Sequence, residues 1–286
     1  MSCPTLAGVP SVLLATCSYF PDGEPGAEHL DRALVERGVE AAWARWDDPD
    51  VDWAAADLVV VRSTWDYEYR PAQFLTWVDA VGPGLLNGAD TIRWNLDKAY
   101  LVELADAGLP VVPTTSVETL EELREAVAGL GTAVVKPRVG AGGRGVRVVT
   151  ADEEQGQDGG PWIVQPVVES VRTTGEISVY VFDGVAATRL DKVPAAGEIR
   201  VHEQYGGSTV AGALDADAAR VAVESFAAAG RVRGAEPAYG RADLMWWEDQ
   251  WVLSELELVE PGLYLDVLPG NAEPFADLVV RRLDGR

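Results

Sequence analysis

The stretch Thr132-Ala-Val-Val-Lys-Pro-Arg-Val-Gly-Ala-Gly-Gly-Arg-Gly-Val-Arg-Val-Val149 limits what this chain can fold into more than any other. A short apolar run ends at Lys136-Pro137. A loop with four glycines (Gly140, Gly142, Gly143, Gly145) follows, and then a β-branched run from Val146 to Val149. The pattern predicts strand, flexible loop, strand. Glycines let backbone N–H groups approach a phosphate, and the neighbouring Lys and Arg side chains bring positive charge. Gly140 to Gly145 formally fits G-x-G-x-x-G, but a dinucleotide fingerprint needs a helix directly after the glycines. A strand there argues against a nicotinamide enzyme. A Walker loop would end in Gly-Lys-Ser/Thr, which this stretch lacks. A flap folding over phosphates, with Lys136 at its base, fits better.

Composition adds weight to that lysine. Of 23 basic residues, only Lys98, Lys136 and Lys192 are lysines. Where arginine is the default cation, a lysine marks a place that needs a compact ammonium, unless it is a chance surface residue. The net charge of −23 argues against a nucleic-acid partner held by bulk electrostatics, so an anionic substrate would need a local basic pocket. Length allows one large domain or two to three subdomains. Cys3 and Cys17 make no disulfide framework. No basic segment precedes an apolar core near the start, and no apolar run reaches membrane-spanning length. The expectation is a soluble cytoplasmic protein without a membrane partner.

Taken in order, Ser11–Thr16 reads as a buried strand, Ala27–Arg37 as a helix stopped by Gly38, and Val39–Trp43 and Leu58–Val61 as further strands. Alternating strands and helices predict a parallel α/β unit, with ligands beyond the carboxyl ends of its strands. Arg62-Ser-Thr-Trp-Asp-Tyr67 stands at such an end. Arg62, Ser63, Thr64 and Asp66 are therefore candidate substrate residues, Arg62 as a bidentate grip on a carboxylate. The alternative is a surface loop in which Asp66 caps the helix Pro71–Val81. A helix is expected to begin at Asn95-Leu-Asp-Lys98 and run to Asp106, with a strand over residues 108–113 and an amphipathic helix over Ser116–Ala128. Ala151–Pro161 reads as an acidic surface connection. Trp162–Pro166 and Gly175–Phe182 read as strands, the latter ending at the Asp183-Gly184 turn. Lys192, Arg200 and His202 fall in or beside extended segments. His202 is taken as a satisfied structural histidine rather than a metal ligand. Asp215–Ala229 reads as an alanine-rich helix ending at Gly230.

Arg241–Trp247 and the run from Trp251 to Glu260 read as a hairpin. If the connecting loop is odd in length, Trp247 lies across from Trp251 and Asp243 across from Glu255, with Glu257 on the same face. Three carboxylates on one face repel unless a cation sits among them, and oxygen ligands suit Mg²⁺. The alternative is a solvated acidic face, which the otherwise apolar strands oppose. An even loop would break this geometry.

Lys98, Lys136-Pro137 with the glycine loop, Gln165-Pro166, Asp243 and Glu255-x-Glu257 occur in the order seen in ATP-grasp ligases, and the chain resembles their glutathione-synthetase-like branch over about residues 90–286. The resemblance implies an α/β fold with α+β subdomains: an N-terminal parallel α/β substrate-binding subdomain (1–92), a central lid subdomain (93–168) and a C-terminal antiparallel-sheet subdomain with the metal site (169–286). It implies that Lys98 and Lys136 hold ATP phosphates under Gly142, Gly143 and Gly145. Gln165, Val167 and Val168 would line an adenine pocket, and Glu169 or Glu176 would reach the ribose. Asp243, Glu255 and Glu257 would bind Mg²⁺, or Mn²⁺ as the alternative ion. The family commonly has Asn where Glu257 stands. Arg200 matches a family arginine on the transferred phosphoryl group. More narrowly, Arg62–Tyr67 together with Glu255-Leu-Glu-Leu-Val-Glu-Pro261 looks like the cyclo-ligases of cycloserine biosynthesis, which close O-ureido-serine into a ring. That likeness brings in Glu260 as a substrate residue.

The implied activity is ATP-dependent carboxylate–amine ligation through an acyl phosphate, on an amino acid or related small molecule. Such chemistry needs positioning and charge neutralisation rather than a protein nucleophile. A non-catalytic ATP-binding regulator is the alternative; it would not need the intact carboxylate face. The expected partners are small-molecule carboxylate and amine substrates, and the family is compatible with a homo-oligomer.

Overall fold

The computed structural model describes residues 11–152 and 160–285. Cys3 and most of the expected Ala151–Pro161 connection lie outside them. Two compact units divide the chain: Met1–Ala89 with Gly262–Arg286, and Asp90–Pro261.

In the first unit, β1 (Ser11–Thr16), α1 (Ala27–Glu36), β2 (Glu40–Arg45), β3 (Leu58–Val61) and α2 (Pro71–Val81) follow the sequence pattern closely. The sheet is parallel, in the order β2-β1-β3. All of β3 is buried, as expected of a strand covered on both faces. Trp46, Phe74 and Trp77 pack edge-on or tilted beside α2, and Tyr67 stacks on Phe74 with ring centroids 4.9 Å apart.

In the second unit, the expected helix from Asn95 is displaced. α3 (Ala89–Asn95) ends at that residue, and α4 (Tyr100–Asp106) starts after a break. Asn95 is buried and used by tertiary structure: its amide accepts from Leu258 N and donates to Leu256 O, both at 2.7 Å. Residues 110–112 make only a bridge to Leu253, and the strand β4 begins later (Thr115–Val117). α5 (Leu120–Leu130) correspondingly starts after Ser116. Thr119 is its N-cap, with Glu122 completing a capping box. Thr119→Ala should lower stability by about 1 kcal/mol, read as a shifted urea midpoint with unchanged slope.

β5 (Thr132–Pro137), β6 (Arg147–Thr150) and β7 (Trp162–Pro166) join β4 in an antiparallel sheet of order β4-β7-β5-β6. Its inward residues Ala133, Val135, Val149, Trp162 and Val164 pack on Leu123 and Val127 of α5. The strand after the glycines gives the expected strand–loop–strand and excludes the dinucleotide fingerprint, which needs a helix there. The last sheet runs β10 (Ser208–Gly212), β9 (Val185–Val193), β8 (Glu176–Phe182), β11 (Tyr239–Trp247), β12 (Gln250–Glu257), all antiparallel. α6 (Ala216–Arg233) runs past Gly230 to Gly234 and covers one face. A further helix, α7 (Ala272–Asp284), belongs to the first unit, where it packs on α1; Arg37 bridges to Glu273 and Asp277 at 2.7 Å each. Among the described residues no helix is long and apolar enough to cross a membrane.

Candidate active site

Period-two alternation builds the site. In β8, β11 and β12, Ile177, Val179, Ala242, Leu244, Leu253 and Leu256 face α6 and the core. Glu176, Asp243, Glu255 and Glu257 face a cleft on the other side. The hairpin reaches this arrangement by an unexpected route. Its loop is even, the two residues Glu248-Asp249 with φ of 47° and 64°, so Trp246 rather than Trp247 opposes Trp251. A bulge then restores the partnership: Leu244 pairs with Leu253, Ser254 is skipped, and Asp243 pairs with Glu255. The extra residue lets both leucines face the core while both carboxylates face the cleft.

The opposite wall is the flap. Val134 and Lys136 of β5 line the cleft with Pro137, Gly140, Ala141, Gly142, Gly143 and Arg144. Two glycines are required here. A Cβ on Gly145 (φ 72°) would lie 2.7 Å from Pro137 Cγ, and one on Gly143 (φ 69°) 2.9 Å from His202 Nδ1. Gln204 Nε2 donates to Gly142 O at 2.5 Å. Lys98 Nζ donates to Gly140 O at 2.6 Å and lies 3.0 Å from Glu255. The cleft holds about 910 Å³, counting space open to solvent. Val112, Val167, Val168, Ile199 and Met245 make an apolar stretch of wall, and Gln165 donates to Thr114 Oγ1 at 2.9 Å.

The electrostatics follow from burial and pairing. Arg241 Nε and Nη2 fork onto Asp243, 2.8 Å each, and Nη2 also donates to Glu257 at 2.6 Å. Ser178 Oγ donates to Asp243 at 2.5 Å, and Lys192 Nζ stands 4.0 Å away. Burial alone would raise Asp243, but Arg241 and Lys192 hold it well below the usual carboxylate range. Burial likewise opposes ionised Glu255, and Lys98 and Lys136 more than offset it. Glu257 is pushed up to about 7 by burial, with Arg241 opposing. Burial and then Asp243 push Glu176 up to about 8. Burial draws the Lys136 ammonium down, whereas Glu255 overcomes burial to hold Lys98 up.

The cleft thus brings together Lys98, Lys136, Gly142, Gly143, Gln165, Val167, Val168, Glu176, Arg200, Asp243, Glu255 and Glu257. Glu169 stays outside it, exposed and paired with Arg172, so of the two ribose candidates only Glu176 faces the space. Gly145 backs onto Pro137 instead of lining the cleft. Arg200 reaches the edge with its guanidinium held by Glu198 at 2.5 Å and 3.6 Å above the Tyr205 ring. The carboxylates have the hard oxygen donors that Mg²⁺ prefers. Among the described residues, however, no three acidic, His or Cys groups form a ready metal cage. Asp243 and Glu257 turn to Arg241, and Glu255 to Lys98. The donor set fits Mg²⁺ chemically.

In the first unit, Arg62, Ser63, Thr64 and Asp66 are buried. Arg62 is no open grip for a carboxylate: it pairs with Glu24, which also accepts from Leu263 N, and lies over the Phe275 ring. Ser63 and Thr16 share a hydrogen bond of 2.7 Å. Asp66 does not cap α2; it accepts from Trp46 Nε1 at 2.7 Å and Arg70 at 2.8 Å. Thr64 Oγ1 is buried without a partner. Glu260, in the second unit, is also buried.

Arg241, Lys192, Ser178 and His202 were not expected in the site. The sequence signal for Arg241 was its place two residues before Asp243, on the same strand face. Ser178 and Lys192 needed the strand order: Ser178 pairs with Asp243, and Lys192 with Glu176.

Residues 12–87 match the family described as D-cycloserine synthetase DcsG, N-terminal domain. Over 268 residues the chain is 32% identical to the cycloserine biosynthesis protein DcsG of Streptomyces lavendulae, covering 86% of this chain and 90% of that protein. The chain belongs to the DcsG family of ATP-grasp ligases. The crystal structure of D-cycloserine synthetase DcsG superposes with a TM-score of 0.83 at 30% identity, covering 96% of this chain and 99% of that one. The ATP-grasp ligase PsnB, solved with minimal precursor, Mg and ADP, shares the fold with a TM-score of 0.64 at 17% identity, over 99% of this chain and 100% of that one. Like its DcsG relatives, the chain is a mixed α/β enzyme, an ATP-dependent ligase that joins carboxylate and amine. The relatives give no support to a non-catalytic module.

Proposed function

We propose that this enzyme phosphorylates a substrate carboxylate with ATP and closes the acyl phosphate onto a nitrogen of the same molecule, forming a cycloserine-like ring. The γ-phosphoryl group leaves ADP for a carboxylate oxygen. A nitrogen lone pair then attacks the carbonyl carbon, the C–O bond to phosphate breaks, and the nitrogen gives up a proton. The observation that carries this reading is the single cleft in which Lys98 and Lys136, under a glycine loop, face Asp243, Glu255 and Glu257.

In this reading Lys98 and Lys136 neutralise phosphate charge, and the loop shields the acyl phosphate from water. Gln165, Val167 and Val168 hold the adenine, and Glu176 the ribose. Asp243, Glu255 and Glu257 would hold Mg²⁺ or Mn²⁺, which supplies charge neutralisation on the phosphates when bound. We place substrate selection at Arg62, Ser63, Thr64, Asp66 and Glu260. Thr64 has the free hydroxyl; Arg62 must share itself with Glu24. A homo-oligomer and a cytoplasmic setting fit this reading.

The test is ADP release with O-ureido-serine, a panel of amino acids and amines, and mass analysis of products. A ring product from one substrate is expected. Product that forms only when a second amine is added would replace cyclisation by intermolecular ligation. Asp243→Asn should cut Mg²⁺-dependent turnover at least 100-fold while shifting stability far less, because Arg241 keeps Glu257 as a partner. Unchanged turnover would sink the metal assignment.

A further inference from the structure

We infer that His202 is a further catalytic residue, its Nδ1–H donating to an oxygen of the phosphoryl group in transfer. The inference rests on the proposed phosphate site and adds a residue that neither the glycine-loop pattern nor the carboxylate face pointed to. His202 lines the same cleft as Lys98, Lys136, Gly142, Gly143 and Asp243. Its Nδ1 is buried and has no hydrogen-bond partner. Such an orphaned atom is costly to leave buried, a cost that a ligand oxygen would remove. The ring is also aimed. A Cβ on Gly143 would fall 2.9 Å from Nδ1, so this edge of the imidazole faces the backbone of the loop that is to hold the phosphates. Gln204, two residues on, grips Gly142 O, and Tyr205 meets the ring edge-on at 6.3 Å. The loop and His202 are thereby held against each other. Burial, with Lys192 and Arg241 nearby and Glu255 and Asp243 opposing, pushes His202 down to about 4, so at neutral pH the ring is uncharged and keeps one N–H to donate.

The terminal phosphoryl group distinguishes this role from that of a passive seat for the loop. Calorimetric titration of the whole protein with Mg²⁺–ADP and Mg²⁺–AMPPNP reads it directly. His202→Ala should weaken AMPPNP binding about tenfold and leave ADP binding unchanged, the size expected for one hydrogen bond to a charged acceptor. His202→Asn puts an amide nitrogen near the Nδ1 position and should restore most of the loss, whereas His202→Gln, with its amide near the Nε2 position, should not. This Asn/Gln pair decides the matter if the alanine variant fails to fold. Equal losses for both nucleotides, or none, would overturn the inference and reduce His202 to packing. Failure of the wild-type protein to bind either nucleotide would instead remove the phosphate site, and the ligase reading with it.

Discussion

Arg241→Met is expected to lower stability by about 3–5 kcal/mol and to abolish turnover. Arg241 is buried and is the shared cation of Asp243 and Glu257. Methionine keeps much of the volume but leaves the buried Asp243 and the partly buried Glu257 without their shared cation. Lys192 remains 4.0 Å from Asp243. Removing one member of a buried ionic network costs far more than the network contributes net, because the remaining charges have already lost their water. Turnover should fall with stability, since Arg241 orients both carboxylates. Urea denaturation without nucleotide measures the first effect. A midpoint within about 1 kcal/mol of wild type would mean that the carboxylates find water or another cation. Arg241→Lys should recover only part, because an ammonium cannot fork across two acceptors.

Lys136→Ala should have the opposite profile: turnover down by about 10²–10³-fold, stability nearly unchanged. The Lys136 ammonium is held at a cost, since burial outweighs its attraction to Glu255 and Glu176. A methyl group there removes a partly buried charge that is only partly compensated, while Glu255 keeps Lys98 at 3.0 Å. Phosphate transfer, by contrast, loses a cation at the base of the flap. ADP release with saturating substrate tests this, and turnover within a few-fold of wild type would exclude Lys136 from the phosphate site.

The two substitutions also mark how far the sequence could be read. Lys136 was legible because it ends an apolar run before a glycine loop in a chain with only three lysines. Arg241 was not, because one arginine among twenty on a predicted strand carries no label. The face shared by Asp243 and Glu255 was expected from an odd loop. It forms from a two-residue turn and a bulge at Ser254, so the right pair came from the wrong register. Helix ends were misplaced where tertiary hydrogen bonds compete with propensity, as at Asn95, or where the cap lay further along, as at Thr119. Arg62 was read as a free grip, because a buried counter-ion 38 residues earlier, Glu24, has no signature in the sequence.

Local rules therefore decided the elements: alternation gave the strands, glycines the flap, and lysine scarcity singled out Lys98 and Lys136, which line the cleft. These depend on neighbours in the chain, whose distances covalent geometry fixes. Tertiary structure decided which charges meet. Arg241 joins Asp243 to Glu257, Lys192 joins the site through its pairing with Glu176 across two strands, and His202 meets Gly143 only because the flap folds onto the segment after Arg200. Ionic and hydrogen-bond partners are set by angstrom-scale distances in a medium without water, and a sequence records residue order, not those distances.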